Sequence, residues 1–102
     1  MTIYAVQFEP RAARQLANLE AYLAEVASPA TSAAYVTSIV NFCQCTLSTF
    51  PYKGRDRSDL NKGLHMVGYQ HRAVITYKIN DEARLVSVVG VFYGGQNWET
   101  NI

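Results

Sequence analysis

Two side chains in this sequence, His65 and His71, are of the type that can do acid–base work at neutral pH, and five residues separate them. Lys53, Arg55 and Arg72 stand in the same stretch. Together these types fit cleavage of RNA by attack of its own 2′-hydroxyl. That reaction needs a base for the hydroxyl proton, an acid for the leaving oxygen and cations around the phosphate. A competing reading is bland. His71 falls where a turn is expected and solvent would surround it, and His65 reads equally well as a polar residue of a strand. Cys43 and Cys45 offer no metal chemistry, because two ligands are too few for a structural zinc site. Two positions apart on a helix, they point about 200° from each other and cannot form a disulfide there. Cys43 reads as a core residue and Cys45 as incidental.

The charges narrow the range of partners. The 102 residues carry a formal net charge of +1, so no global field argues for nucleic-acid binding, and sequence-specific nucleic acid is not an expected partner. The charge is unevenly spread. Lys53, Arg55, Arg57, Lys62 and Arg72 against Asp56 and Asp59 leave residues 51–72 at +3, whereas residues 1–50 and 73–102 each stand at −1. A partner of the middle region would be anionic. With 49% apolar and 17% charged residues the chain is a globular domain, not a disordered one. The first residues show no basic segment followed by an apolar run, and no apolar run approaches the ~20 residues of a membrane span. A reducing, cytoplasmic setting is the expectation, with no membrane partner.

Local patterns supply the elements that would position these residues. Alternation from Ile3 to Phe8 suits a short strand. Pro10 then fits a first helical turn, and Ala12, Leu16, Leu19, Leu23 and Val26 make one apolar stripe. Ser28 before Pro29 reads as the N-cap of a second helix. That helix carries Val36, Ile39, Val40, Cys43, Leu47 and Phe50 on its main stripe. Tyr35 and Phe42 form a second line, either wider core or a surface for a partner helix. Phe50-Pro51 closes the helix, and a polar loop runs from Tyr52 to Gly63. Strands are expected at Leu64–Tyr69, Ala73–Ile79 and Leu85–Tyr93, with a turn at Asn80-Asp81-Glu82. The nearly continuous apolar run Val86–Phe92 suits a strand covered on both faces. The expected architecture is a single α+β domain over residues 1–102. A helical hairpin packs on a small, mainly antiparallel sheet in the order β-α-α-β-β-β.

Particular residues add a resemblance. Phe8-x-Pro10-x-Ala12, Ala27-Ser28-Pro29 and Tyr35-Val36 occur in this order. Phe50-Pro51-x-x-Gly54-Arg55-x-x-x-Asp59-Leu60-x-x-Gly63-Leu64 follows, then Tyr69, Ile75-x-Tyr77-x-Ile79, and Tyr93-Gly94-Gly95-Gln96 with Trp98 and Glu99. This ordered set resembles the ParE branch of the ParE/RelE toxins, and the stretch Phe50–Leu64 is its best marker. The resemblance implies a bacterial toxin neutralised by a small ParD-like antitoxin and directed at DNA gyrase, with plasmid stabilisation as a role. RelE-like relatives use the same scaffold to cut messenger RNA on the ribosome, and a relative that binds antitoxin without being toxic is a third possibility. For the ribonuclease the candidates would be Lys53, Arg55, His65, His71, Arg72 and Tyr93. Val86–Val91 lacks arginine and lysine, and so does Tyr93–Gln96, which tilts the expectation toward a toxin that acts by binding, with no catalytic residue, metal or cofactor.

On that reading Arg55, Arg57, His65, Arg72, Tyr93, Gln96 and Trp98 are candidates for contact with the target. Arg14, Tyr22, Tyr35, Phe42, Arg72 and Tyr77 are candidates for contact with the antitoxin. Tyr35, Phe42 and the first helix would line a groove for it. A higher-order toxin–antitoxin complex is a further possibility. Phe50 and Pro51 are expected to lock the end of the second helix against the core. Asp56 and Asp59 could pair internally with Arg55 and Arg57, which would leave the loop ordered and with little external role.

Overall fold

The computed structural model describes residues 3–102. The chain runs through a strand β1 (Ala5–Phe8), helices α1 (Pro10–Val26) and α2 (Pro29–Phe42), a two-residue strand β2 (Arg55–Asp56), and strands β3 (Leu64–Tyr69), β4 (Ala73–Asn80) and β5 (Leu85–Tyr93). The helix starts are those the sequence encodes. Pro10 and Pro29 open α1 and α2, and the Ser28 hydroxyl accepts the Thr31 N–H at 3.1 Å. The buried Ser32 donates its hydroxyl to the Glu20 carbonyl and ties the helices together.

The end of α2 departs from expectation. Cys43–Leu47 forms a π-helical turn. One extra residue in a turn rotates everything after it back by roughly 100°. Cys43 and Leu47 remain fully buried, but Phe50 swings off the stripe and is 61% exposed. Pro51 alone locks the junction against the core, so the expected role of Phe50 there is corrected. Val26, at the far end of the α1 stripe, is also exposed.

The five strands form one sheet in the order β1-β5-β4-β3-β2, with β1 parallel to β5 and the other pairs antiparallel. The helical hairpin covers one face. Leu16, Leu19, Leu23, Ile39, Cys43 and Leu47 meet Val67, Ile75, Tyr77, Val86, Val88 and Val91 there. A bulge opposite Thr76 and Tyr77 adds a residue to β5, so that Val88 and Val91, three apart, both face the helices.

The second face is covered as well. Phe92 is 5% exposed and lies beneath the Arg11 guanidinium, 5.5 Å from the ring centroid. Arg11 also donates to the Asn101 carbonyl, which fastens the C-terminal tail on this side. Val86–Phe92 therefore has the two-sided burial its composition predicts.

Tyr77 is fully buried. Its hydroxyl donates to the Pro51 carbonyl at 2.8 Å and accepts the Gly54 N–H at 3.0 Å. It latches the segment after α2 onto the sheet. Its place among the antitoxin contacts is thereby corrected, because no surface of it is left to offer.

Candidate protein-binding site

The stretch from Tyr52 to Gly63 is ordered through its own side chains. Asp56 accepts the Ser58 N–H at 2.8 Å, and this contact with Ser58 holds its carboxyl below the usual range. Arg57 donates through Nε and Nη2 to both carboxylate oxygens of Asp59, each at 3.0 Å, and through Nη2 to Glu99 at 2.8 Å. Its guanidinium also lies 5.3 Å from the centroid of Trp98. Asp59 is lowered by Arg57, and Arg57 is raised by Asp59 and Glu99. The structure thus brings Arg57 and Trp98 together, but as a clamp for the tail. Arg57 is held at the surface by Asp59, Glu99 and Trp98, and its side chain stays partly exposed. Arg55 is exposed on the short edge strand, paired with Met66.

His65 belongs to an aromatic stack. Its ring is 5.6 Å from Tyr77 and 5.7 Å from Tyr52, and its Nδ1 lies 3.2 Å from the Gly63 carbonyl oxygen. Tyr52 is 57% exposed, yet its hydroxyl donates to Asp81, which also accepts from Tyr4. That bond pushes the Tyr52 phenol from 10.0 up to about 12, and the two hydroxyls lower Asp81. A raised phenol contributes stability below its unfolded value near 10 and loses it as pH rises toward about 12. In an alkaline titration followed by phenolate absorbance, Tyr52 should ionise late together with Tyr4, Tyr35 and Tyr77, and Asp81→Asn should lower Tyr52 and Tyr4 while leaving the other two late. Unchanged titration in that variant would dispose of the bond.

The other candidates lie at the opposite end of the sheet. His65 pairs with Tyr77, whereas Tyr69 pairs with Ala73 and Ala73 with Tyr93. His71 and Arg72 occupy the turn beyond, where Gln70 and His71 take positive φ values of 53° and 58°. At ~3.3 Å per residue, the two histidines are roughly 20 Å apart. Tyr35 and Phe42 lie on this end too, packed inward. Tyr35 is 5.6 Å from Tyr93 and 6.2 Å from Tyr69, and Phe42 is 5.0 Å from Tyr69. Burial raises the Tyr35 phenol, and its hydroxyl is the one buried side-chain polar atom without a partner among the described residues. The second aromatic line of α2 thus packs against the core, and Tyr35 and Phe42 do not line the groove nearby.

That groove runs between α1 and the end of β5. It encloses about 440 Å³ and is lined by Gln15, Asn18, Leu19, Tyr22, Val91, Tyr93 and Gly94–Gln96. Tyr22, 54% exposed, is the antitoxin candidate that lines it; Arg14 is exposed on α1 but not among the lining residues. Two glutamines close it. Gln15 Oε1 accepts the Val91 N–H at 2.7 Å, and Gln96 Oε1 accepts the Tyr93 N–H at 2.9 Å. Sequence reasoning placed Gln96 and Tyr93 with the target but missed Gln15 and Asn18. The signal available for Gln15 was a polar residue next to the apolar stripe of α1, too common to single out.

The family model for the ParE toxin of the type II toxin–antitoxin system parDE matches residues 6–98. The chain belongs to that family. The ParE fold recurs in solved structures. In the RelBE2 toxin–antitoxin complex from Mycobacterium tuberculosis, a chain with 22% identity superposes with a TM-score of 0.69, over 94% of this chain and 97% of that one. In a chromosomal ParDE toxin–antitoxin system from P. aeruginosa the identity is 12% and the TM-score 0.75, over 90% and 97%. No curated protein matches the sequence. As a ParE-family member the chain is a type II toxin with the two-helix, mixed-sheet fold read from its sequence. Among the described residues no helix is long and apolar enough to cross a membrane, and no cluster of His, Cys, Asp or Glu could hold a metal ion.

Proposed function

We propose that this chain is a cytoplasmic toxin that inhibits DNA gyrase by binding it, and that a ParD-like antitoxin encoded beside it neutralises it. What supports binding over catalysis is the placement of the groups that RNA cleavage would need. Lys53, Arg55 and His65 lie toward one end of the sheet, while His71, Arg72 and Tyr93 lie at the other. A base, an acid and cations must converge within hydrogen-bond reach of one phosphate, and roughly 20 Å of strand separates the two sets. The family model supplies the ParE branch, and the gyrase target follows from that branch by analogy.

Purified gyrase incubated with the chain should lose supercoiling activity and accumulate cleaved DNA. Adding the product of the neighbouring reading frame should reverse both effects. Intact supercoiling together with cleaved messages on translating ribosomes would replace this reading with the ribonuclease. No effect in either assay would leave an antitoxin-binding relative without toxicity.

A further inference from the structure

The two glutamines in the groove stand where a strand would be. β1 pairs with Leu85–Val88 only, and the chain leaves the sheet at Pro10. From Val89 to Tyr93, β5 has a neighbouring strand on one side alone, namely β4. Gly94 donates its N–H to Arg72 on the β4 side, so the alternate amides of Val91 and Tyr93 point the other way. These are the amides that Gln15 and Gln96 take up. Two side-chain carbonyls, one from α1 and one from the tail, thus occupy the acceptor positions of an absent strand.

From this geometry we infer that the free edge of β5 is the docking site of an extended antitoxin segment, which adds to the sheet as a sixth strand and displaces both glutamine carbonyls. The inference rests on the antitoxin reading above and specifies its site. A protein that leaves an edge open must protect it from chance pairing, and here the protection is removable. A glutamine side chain swings away by rotamer change, whereas a proline or a bulge would block the edge permanently. The groove supplies the rest of the recognition. Leu19, Tyr22 and Tyr93 line its wall, so the incoming segment would carry apolar side chains at alternate positions and no proline where it bonds to Val91 or Tyr93. The outer edge of β1 is the rival site. Its outward amides belong to Val6 and Phe8, since Ala5 and Glu9 donate the other way, to the Arg84 and Val88 carbonyls.

The full chain can be compared free and bound to the product of the neighbouring reading frame, by amide hydrogen exchange and by calorimetry. Binding should slow exchange at Val91 and Tyr93 by about tenfold or more, leave Val6 and Phe8 unchanged, and move the Gln15 and Gln96 carboxamide signals to solvated positions. Gln15→Glu puts a stronger, charged acceptor on Val91, so the affinity should fall on the order of tenfold. Ala13→Glu places the same charge at an exposed position of α1 outside the groove and should change affinity less than about twofold. A complex that forms without added protection at Val91 and Tyr93, or with protection at Val6 and Phe8 instead, would overturn the edge while leaving the antitoxin reading intact. Equal losses from the two glutamates would also overturn it. Absence of any complex would remove the antitoxin reading and the edge together.

Discussion

Gly54→Ala should be strongly destabilising. Gly54 has ordinary extended backbone, φ −77° and ψ 178°, so its conformation tolerates any residue. Space is what forbids a side chain. A Cβ there would lie 2.5 Å from the Tyr77 hydroxyl and within contact distance of the Met66 carbonyl. Neither neighbour can retreat cheaply. Met66 pairs with Arg55 in the sheet, and the Tyr77 hydroxyl is bonded to both Pro51 and Gly54. Overpacking costs roughly 1–3 kcal/mol, and unmaking the buried hydroxyl's bonds adds about 1–3. A total on the order of 2–6 kcal/mol is a large share of the ~5–15 kcal/mol that holds such a domain. Thermal unfolding should fall by roughly 10–30 °C. Gly68→Ala is the control, since a Cβ there meets nothing within 4 Å. It should shift the midpoint by only a few degrees, in either direction. Equal shifts in the two variants would mean that the latch under Gly54 contributes little.

The latch also shows which parts of this structure can be read locally. Helices α1 and α2, their proline starts and the Ser28 cap rest on spacing within a few residues, and they appear where the sequence puts them. The same holds for β3, β4 and β5. The π turn at Cys43–Leu47 leaves no such trace, because a five-residue widening keeps the residues apolar at helix-like intervals. Strand β2 is two exposed residues long, too short to show alternation. Tyr77 was legible and misassigned. Ala73, Ile75, Tyr77 and Ile79 alternate with polar or smaller neighbours, which marks them as the face under the helices. Roles set by distant pairs were out of reach. Arg57 meets Glu99 and Gln15 meets Val91 across 42 and 76 positions of chain, and composition carries no record of either pairing.

On the proposed gyrase reading, replacing Trp98 with alanine should lower gyrase inhibition far more than antitoxin binding. Beyond β5 the tail is fixed at three places, the last of them the Arg11 bond to the Asn101 carbonyl. Gln96 binds the Tyr93 amide in the groove, while Trp98 and Glu99 are held by Arg57 near the β2 end of the sheet. The variant keeps the first attachment and the groove between α1 and β5, and removes the large aromatic from the second. If the tail carries the surface that meets the target, loss of an anchoring tryptophan costs about 2 kcal/mol or more, near 30-fold in inhibitory concentration. Antitoxin affinity should stay within about threefold, because Trp98 does not line the groove. Arg57→Gln separates the side chain from its placement. It keeps Trp98 but removes the ion pair and the stacking cation, so inhibition should weaken partway while antitoxin binding holds. Supercoiling titrations and calorimetry on the same preparations would measure both. Equal loss of the two activities in Trp98→Ala would mean that the tail serves only to cover the second face of the sheet. Full toxicity in that variant would move the target surface elsewhere, with the exposed Phe50 and Tyr52 at the π-turn end as the next place to cut.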